Sequence, residues 1–221
     1  MTRLMHLALL IAWKDLQLEL RSRDVVGTVA MFPLVVLVVL HLALDLSPSR
    51  ARELAPGVFW VAFSFTGVLA MGRSFFAEKD QGSLEGLLLL PVRRAVLYLG
   101  KLLGSLAFTL VIEAALVPVF AITLNISFLH WQLALIFFLA TLGFAALATI
   151  FSALLVHDRS REVMLPLLFF PMVAPVIMGA VQATAEVLQN VGAGHWILFL
   201  ATYDAVFLVV CVWTFTYVLE E

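Results

Sequence analysis

An all-α integral membrane protein is the fold class predicted by three observations. Of 221 residues, 63% are hydrophobic and 13% charged, where soluble domains carry roughly 45–50% and 25%. The mean hydropathy is +1.09. The apolar residues gather into stretches near the ~20 needed to cross a hydrocarbon core, and most of the charges fall between them. Only short loops remain, so residues 1–221 form one membrane domain without a soluble catalytic core. The net charge of −2 points to no nucleic-acid partner. The single cysteine, Cys211, lies in an apolar run and can form no intrachain disulfide.

Residues 1–24 begin like a signal peptide, with Arg3 ahead of the apolar run Leu4 to Trp13, but no small-residue cleavage site follows. Lys14 to Asp24 alternates charge with leucine instead. On a helical wheel Leu9, Ala12, Trp13, Leu16 and Leu20 share one face, while Lys14, Asp15 and Arg21 lie away from it. That pattern predicts an interfacial amphipathic helix in the plane of the bilayer surface, with Trp13 at headgroup depth. A plain cytoplasmic helix is the competing reading.

Six transmembrane helices are expected to follow, at Val25–Leu46, Leu54–Phe76, Val96–Leu124, Trp131–Val156, Val163–Ala185 and Trp196–Leu219. Gly100 and Gly104, one turn apart in the third span, let another helix approach closely. Pro33 and Pro118 interrupt helices, and Pro166, Pro171 and Pro175 make the fifth span the least regular.

Lysine and arginine set the orientation. With a cytoplasmic N-terminus, eleven of the 13 basic residues fall on that side and only Arg50 and Arg52 on the other. Both termini are then cytoplasmic, and so is Glu78–Pro91, the densest run of charge. Asp80 or Ser83 can cap a short helix in which Leu84, Leu87 and Leu88 recur at helical spacing, and Pro91 stops it. Two helical turns are marginal alone, so this segment, with flanking residues at 78–95, either docks in a groove on another protein or is an ordinary solvated loop.

Chemistry-bearing residues are few. Glu113 and Asp204 lie inside the third and sixth spans, where a charge costs at least ~2.5–3.5 kcal/mol. Either they line a polar cavity or hold helices together, or they snorkel to an interface. The chain has no phosphate-binding Gly-x-x-x-x-Gly-Lys-Ser/Thr, no His-Glu-x-x-His and no Gly-x-Ser-x-Gly. Its five histidines, at positions 6, 41, 130, 157 and 195, lack zinc-ligand spacing. His41, His130 and His195 map to the outer face, where His130 and His195 can simply anchor a span beside Trp131 and Trp196.

Three stretches carry a resemblance: Leu54-Ala-Pro-Gly-Val-Phe-Trp-Val-Ala62, Asp80-Gln-Gly-Ser-Leu-Glu-Gly-Leu-Leu-Leu-Leu-Pro91 and Met164-Leu-Pro-Leu-Leu-Phe-Phe-Pro171. Over essentially its whole length the chain resembles the heme exporter protein B family, the membrane permease subunit of the cytochrome c maturation ABC transporter, itself similar to ABC-2 type permeases. The resemblance implies that Asp80, Gln81, Gly82, Ser83, Leu84, Glu85, Leu87, Leu88 and Pro91 form a coupling helix on an ATP-binding-cassette ATPase. It further implies a heme-handling membrane protein, a small single-span subunit and a periplasmic heme chaperone as partners. ATP belongs on the ATPase and heme is cargo, with no heme-ligating motif carried over; once heme is the cargo, the outer His41, His130 and His195 become candidate axial ligands, against their reading as interface anchors. The setting is the bacterial inner membrane. Heme passing through the permease and ATP-driven release of loaded chaperone both stay open. Six spans make half a transporter, so a second copy of the chain is expected. A non-transporting adaptor for an ATPase, an exporter of another substrate and an intramembrane enzyme using Glu113 and Asp204 are the alternatives.

Overall fold

A computed structural model describes residues 2–43, 48–70, 78, 94–126, 128, 130–156 and 160–218. Seven long helices occupy the described residues, α1 (Thr2–Arg21), α2 (Arg23–Ala43), α3 (Pro48–Ala70), α4 (Arg94–Leu124), α5 (Trp131–Leu154), α6 (Arg161–Leu188) and α7 (Gly194–Val218). Five of them, α3 to α7, are long and apolar enough to cross a bilayer. The corresponding apolar stretch described in α2 is shorter, Val29–Leu40. Helix is the expected state, because lipid offers the backbone no hydrogen-bond partners.

The core centres on α5, which packs against α4, α6 and α7. Its middle is buried on every side through Gly143, Phe144, Ala145, Ala146, Leu147, Ala148, Thr149 and Ile150. Small residues there let the neighbouring backbones come close, which is how helices associate where lipid tails remove any hydrophobic drive. Larger rings fill the space around it. Phe59 and Trp60 of α3 lie 5.1 Å and 5.6 Å from the Phe137 ring, and Phe144 is edge-on to Phe169 of α6 at 4.7 Å. A side chain at Gly67 would run into the Phe144 ring. Three polar contacts lock neighbours to this core: Trp60 Nε1–H donates to Thr184 Oγ1 at 3.0 Å, Tyr98 O–H to the Ala146 carbonyl at 3.0 Å, and Arg94 to the Thr216 carbonyl at 3.0 Å.

The fifth span lies within a single helix, Arg161–Leu188, that carries Pro166, Pro171 and Pro175 inside it. Its buried stripe is Leu165, Phe169, Val173, Val176, Ala180 and Ala183. The prolines fall off that stripe, so the missing N–H groups do not weaken the packed face. Helices α4 and α6 both end on an asparagine in the left-handed region, Asn125 at φ 52° and Asn190 at φ 58°. In each case the next N–H reaches back five residues, Ile126 to the Ala121 carbonyl at 3.0 Å and Val191 to Glu186 at 2.8 Å, which ends the helix.

The partner of the Gly100 and Gly104 notch is α1. A Cβ at Gly100 would sit 2.9 Å from Ile11 Cβ and 3.1 Å from the Ala8 carbonyl; at Gly104 it would meet Asp15 Cβ at 3.1 Å. Residue numbers rise together in these contacts, so α1 and α4 run side by side in the same chain direction. The buried side of α1 is therefore Ala8, Ala12 and Asp15, while Leu9, Leu10, Trp13, Leu18 and Leu20 stay exposed. Asp15 and Ala12 depart from the wheel. Asp15 was expected on the solvated side and is 2% exposed. Ala12 joins it against α4, because only small residues fit over the glycine notch.

Overpacking a close helix contact costs about 1–3 kcal/mol, so Gly100→Leu should lift α1 off α4. In a Cys211→Ala background, Ala12→Cys should resist a water-soluble maleimide in the parent and label in the Gly100→Leu variant. Equal protection in both would disprove the notch.

Candidate functional site

Four charged side chains from three separate segments meet beside the notch. Lys101, which lies between the two glycines on α4, has 1% of its side chain exposed. Its Nζ lies 3.0 Å from Asp15 Oδ2 of α1 and 2.7 Å from Glu78 Oε2. Lys14 reaches the other oxygen of each carboxylate, Asp15 Oδ1 at 3.2 Å and Glu78 Oε1. Each carboxylate thus spans both ammoniums, and among the described residues two positive and two negative groups form a ring in which the charges balance. Burial alone would lower the Lys14 pKa, but its hydrogen bond to Glu78 and the nearby Asp15 charge outweigh that and hold it above its ordinary value.

Local structure explains why the ring can form. Glycine at 100 and 104 brings the α1 backbone to van der Waals distance, which places Asp15 over the α4 surface. A lysine beside the notch then has carboxylates within reach on one side and a packed helix on the other. Removing one member of such a buried set leaves an uncompensated charge and costs about 3–5 kcal/mol.

Glu78 is the described residue of the 78–91 stretch. Asp80, Gln81, Gly82, Ser83, Leu84, Glu85, Leu87, Leu88 and Pro91 lie outside the described residues, as does His157. Glu78 was expected only as the start of a charged cytoplasmic run. It is 6% exposed and fixed to two other helices. Sequence reasoning missed Lys14, Asp15 and Lys101 as a site. The signal was present: Lys101 is an ionisable residue at the close-packing notch of a span, and such residues need a partner.

The two intramembrane carboxylates take separate places against α5. Glu113, 3% exposed, accepts a 2.7 Å hydrogen bond at Oε2 from Thr141 Oγ1. Asp204, also 3% exposed, occupies the space left by the missing side chain of Gly143. Thr141 and Gly143 are two residues apart and so point about 200° apart around α5; the carboxylates sit on different sides of it. Among the described residues, Glu113 Oε1 and both Asp204 oxygens have no hydrogen-bond partner.

His130 is exposed and precedes α5. His195 has 64% of its side chain exposed, rests 5.1 Å from the Trp196 ring and lies 3.5 Å from Glu186 Oε1, which also accepts from Trp196 Nε1–H at 3.0 Å. The His41 backbone is in α2 and its side chain lies outside the described residues. Among the described residues no three His, Cys, Asp or Glu side chains come together as a metal site requires.

Interhelical hydrogen bonds in membranes contribute about 0.6 kcal/mol on average and up to about 1.7. Thr141→Val should therefore lower stability in detergent by about 1 kcal/mol, because it strands Glu113. Glu113→Leu in that background should recover part of the loss, since apolar replacement of both partners removes the stranded group. Strictly additive losses in a double-mutant cycle would show that the pair does not interact.

Comparison with known proteins places these features in a family. The CcmB protein family matches residues 5–220. Heme exporter protein B of Pseudomonas aeruginosa is 28% identical over 202 residues, 90% of this chain and 89% of that one. The Haemophilus influenzae protein of the same name is 29% identical over 168 residues, 76% of each chain. That of Escherichia coli K12 is 32% identical over 97 residues, 42% of this chain and 44% of the other. The similarity runs from α1 past the end of α7 and takes in the glycine notch, the charge ring and both buried carboxylates: the chain belongs to the CcmB protein family.

Proposed function

We propose that this chain is the membrane permease subunit of an ATP-binding-cassette complex for heme export or for ATP-driven release of heme-loaded chaperone in cytochrome c biogenesis. The observation that carries the reading is the match to heme exporter protein B along nine-tenths of the chain. It is supported by five helices able to cross a bilayer. ATP hydrolysis resides on a separate cytoplasmic ATPase, and the stretch from Asp80 to Pro91 docks on it. A second copy of the chain completes the transport unit, since six spans, with α2 as the first, make one half. The other partners are a heme-handling membrane protein, a small single-span subunit and a periplasmic heme chaperone.

The basic residues orient the assembly in the bacterial inner membrane with both termini cytoplasmic. In that setting the exposed Leu9, Leu10, Trp13 and Leu18 of α1 face lipid at the cytoplasmic surface. The polar side of α1 is turned inward onto Lys101, which leaves its apolar side for the membrane.

An apolar docking surface tolerates no unpaired charge. Replacing Leu87 or Leu88 by Asp should therefore abolish co-purification of the ATPase, while Glu85→Ala should keep the ATPase bound and slow turnover, because rim charges tune orientation more than affinity. Retention of the ATPase by both aspartate variants would sink the docking segment. A plain adaptor predicts instead that tethering the ATPase to the membrane by an unrelated anchor restores heme delivery.

The outer histidines serve as anchors at the membrane interface, and heme is cargo without an axial ligand from them. His130→Ala, His195→Ala and His41→Ala combined should leave the Soret spectrum of the purified complex and its yield of loaded chaperone unchanged. A shifted Soret band from any single change would make that histidine a ligand and favour passage of heme through this subunit.

A further inference from the structure

Resting on the permease reading and going one step past it, we propose that the ring of Lys14, Asp15, Glu78 and Lys101 is a rigid joint. It makes α1, the start of α4 and Glu78 move as one body, with Lys101 as the positioning residue.

Three observations carry this. The contacts are two-sided: Asp15 and Glu78 each use one oxygen on Lys101 and the other on Lys14. A displacement of Glu78 along either helix therefore breaks contact with both cations at once, so no single sliding motion is free. The ring is also dry at its centre, with 1% of the Lys101 side chain, 2% of Asp15 and 8% of Glu78 exposed. Exposed ion pairs slip because water replaces the lost partner; here water has no access to Lys101. Finally, α1 lies on α4 with backbone against backbone at Gly100 and Gly104. No long side chain is interposed to absorb a shift.

Apolar packing sets register through shape alone, whereas directed charge pairs add a contact that is lost on any slip, and the setting of register is the best-attested use of a buried polar set. Glu78 directly precedes the 79–93 stretch. Force arriving there passes to Asp15 and Lys101 without slack, and through them to α1 and α4 together. The joint is thus the mechanical link between ATPase docking and the membrane helices, and it is distinct from the docking contact itself.

The test separates the joint from the ATPase reading. Nitroxide labels go on Gln17→Cys, exposed on α1, and on Ile122→Cys, exposed on α4, in a Cys211→Ala background, and pulsed EPR reads their distance in lipid nanodiscs. The pair Lys101→Met with Glu78→Gln removes one charge of each sign, so net charge is unchanged. It should broaden a distance distribution that is narrow in the parent and in Lys101→Arg. Should the pair not assemble, Lys14→Gln with Asp15→Asn opens the opposite edge of the ring and gives the same reading. In the complex purified with its ATPase, the same variants should keep the ATPase bound and hydrolysing ATP. Heme delivered per ATP should fall about tenfold, within the range for residues that carry coupling. If no ATPase accompanies the parent chain, the permease reading fails and the EPR comparison alone judges the joint. An unchanged distance distribution overturns the joint, and so does unchanged heme delivery per ATP in the loosened variants.

Discussion

Close approach of helix backbones is the constraint on which this molecule depends. In lipid an exposed leucine gains nothing by being covered, so helices associate through dispersion, hydrogen bonds and small-residue contacts. Helix α5 meets that constraint with a run of glycine and alanine, and the aromatic rings of α3, α4 and α6 interdigitate around it. Helix α7 shows the other side of the same physics. It buries one stripe, Leu200, Asp204, Cys211 and Phe215, and exposes Leu198, Val206, Val209 and Trp213. In water that exposed face would demand a partner; in a bilayer it faces its solvent.

The same close approach makes the buried charges possible. A lysine and an aspartate on adjacent helices pair only if the helices are near enough, and Gly100 and Gly104 set that distance. Packing and electrostatics are therefore not independent here: widening the notch would withdraw Asp15 from Lys101 and strand Glu78 as well. Such groups respond non-additively to substitution. Glu113 and Asp204 follow the rule at the level of single residues. Thr141 offers the first a donor, and Gly143 offers the second only space.

The helices were legible because composition alone dictates them in a membrane. The expected third, fourth and sixth spans differ from α4, α5 and α7 by two residues or fewer at each end. Pro166, Pro171 and Pro175 do not end α6, because the need to satisfy backbone groups internally overrides a local breaker when the prolines fall off the buried stripe. Gly100 and Gly104 announced that a helix approaches but could not say which, since spacing carries no address. The wheel for α1 failed at Asp15 for a related reason. Amphipathicity separates polar from apolar faces, but it does not say that the polar face meets water when a buried cation waits on another helix. Lys101 in a span signalled that a partner exists, but nothing local named Glu78 as that partner.

A neutral ring of four charges is the arrangement by which a charged segment can be fixed at the edge of an apolar bundle. One buried ion pair rarely repays its desolvation, and a lone buried ion never does. Sharing each carboxylate between two ammoniums raises the Coulombic return per desolvated group while keeping the sum at zero. The partial exposure of Lys14, at 45% of its side chain, lowers the cost further by leaving one corner in water. The geometry also explains why α1 can be amphipathic in an inverted sense. With Asp15 turned onto α4, the helix presents leucines and a tryptophan outward, the surface that lipid accepts and a cytoplasmic helix would have to hide.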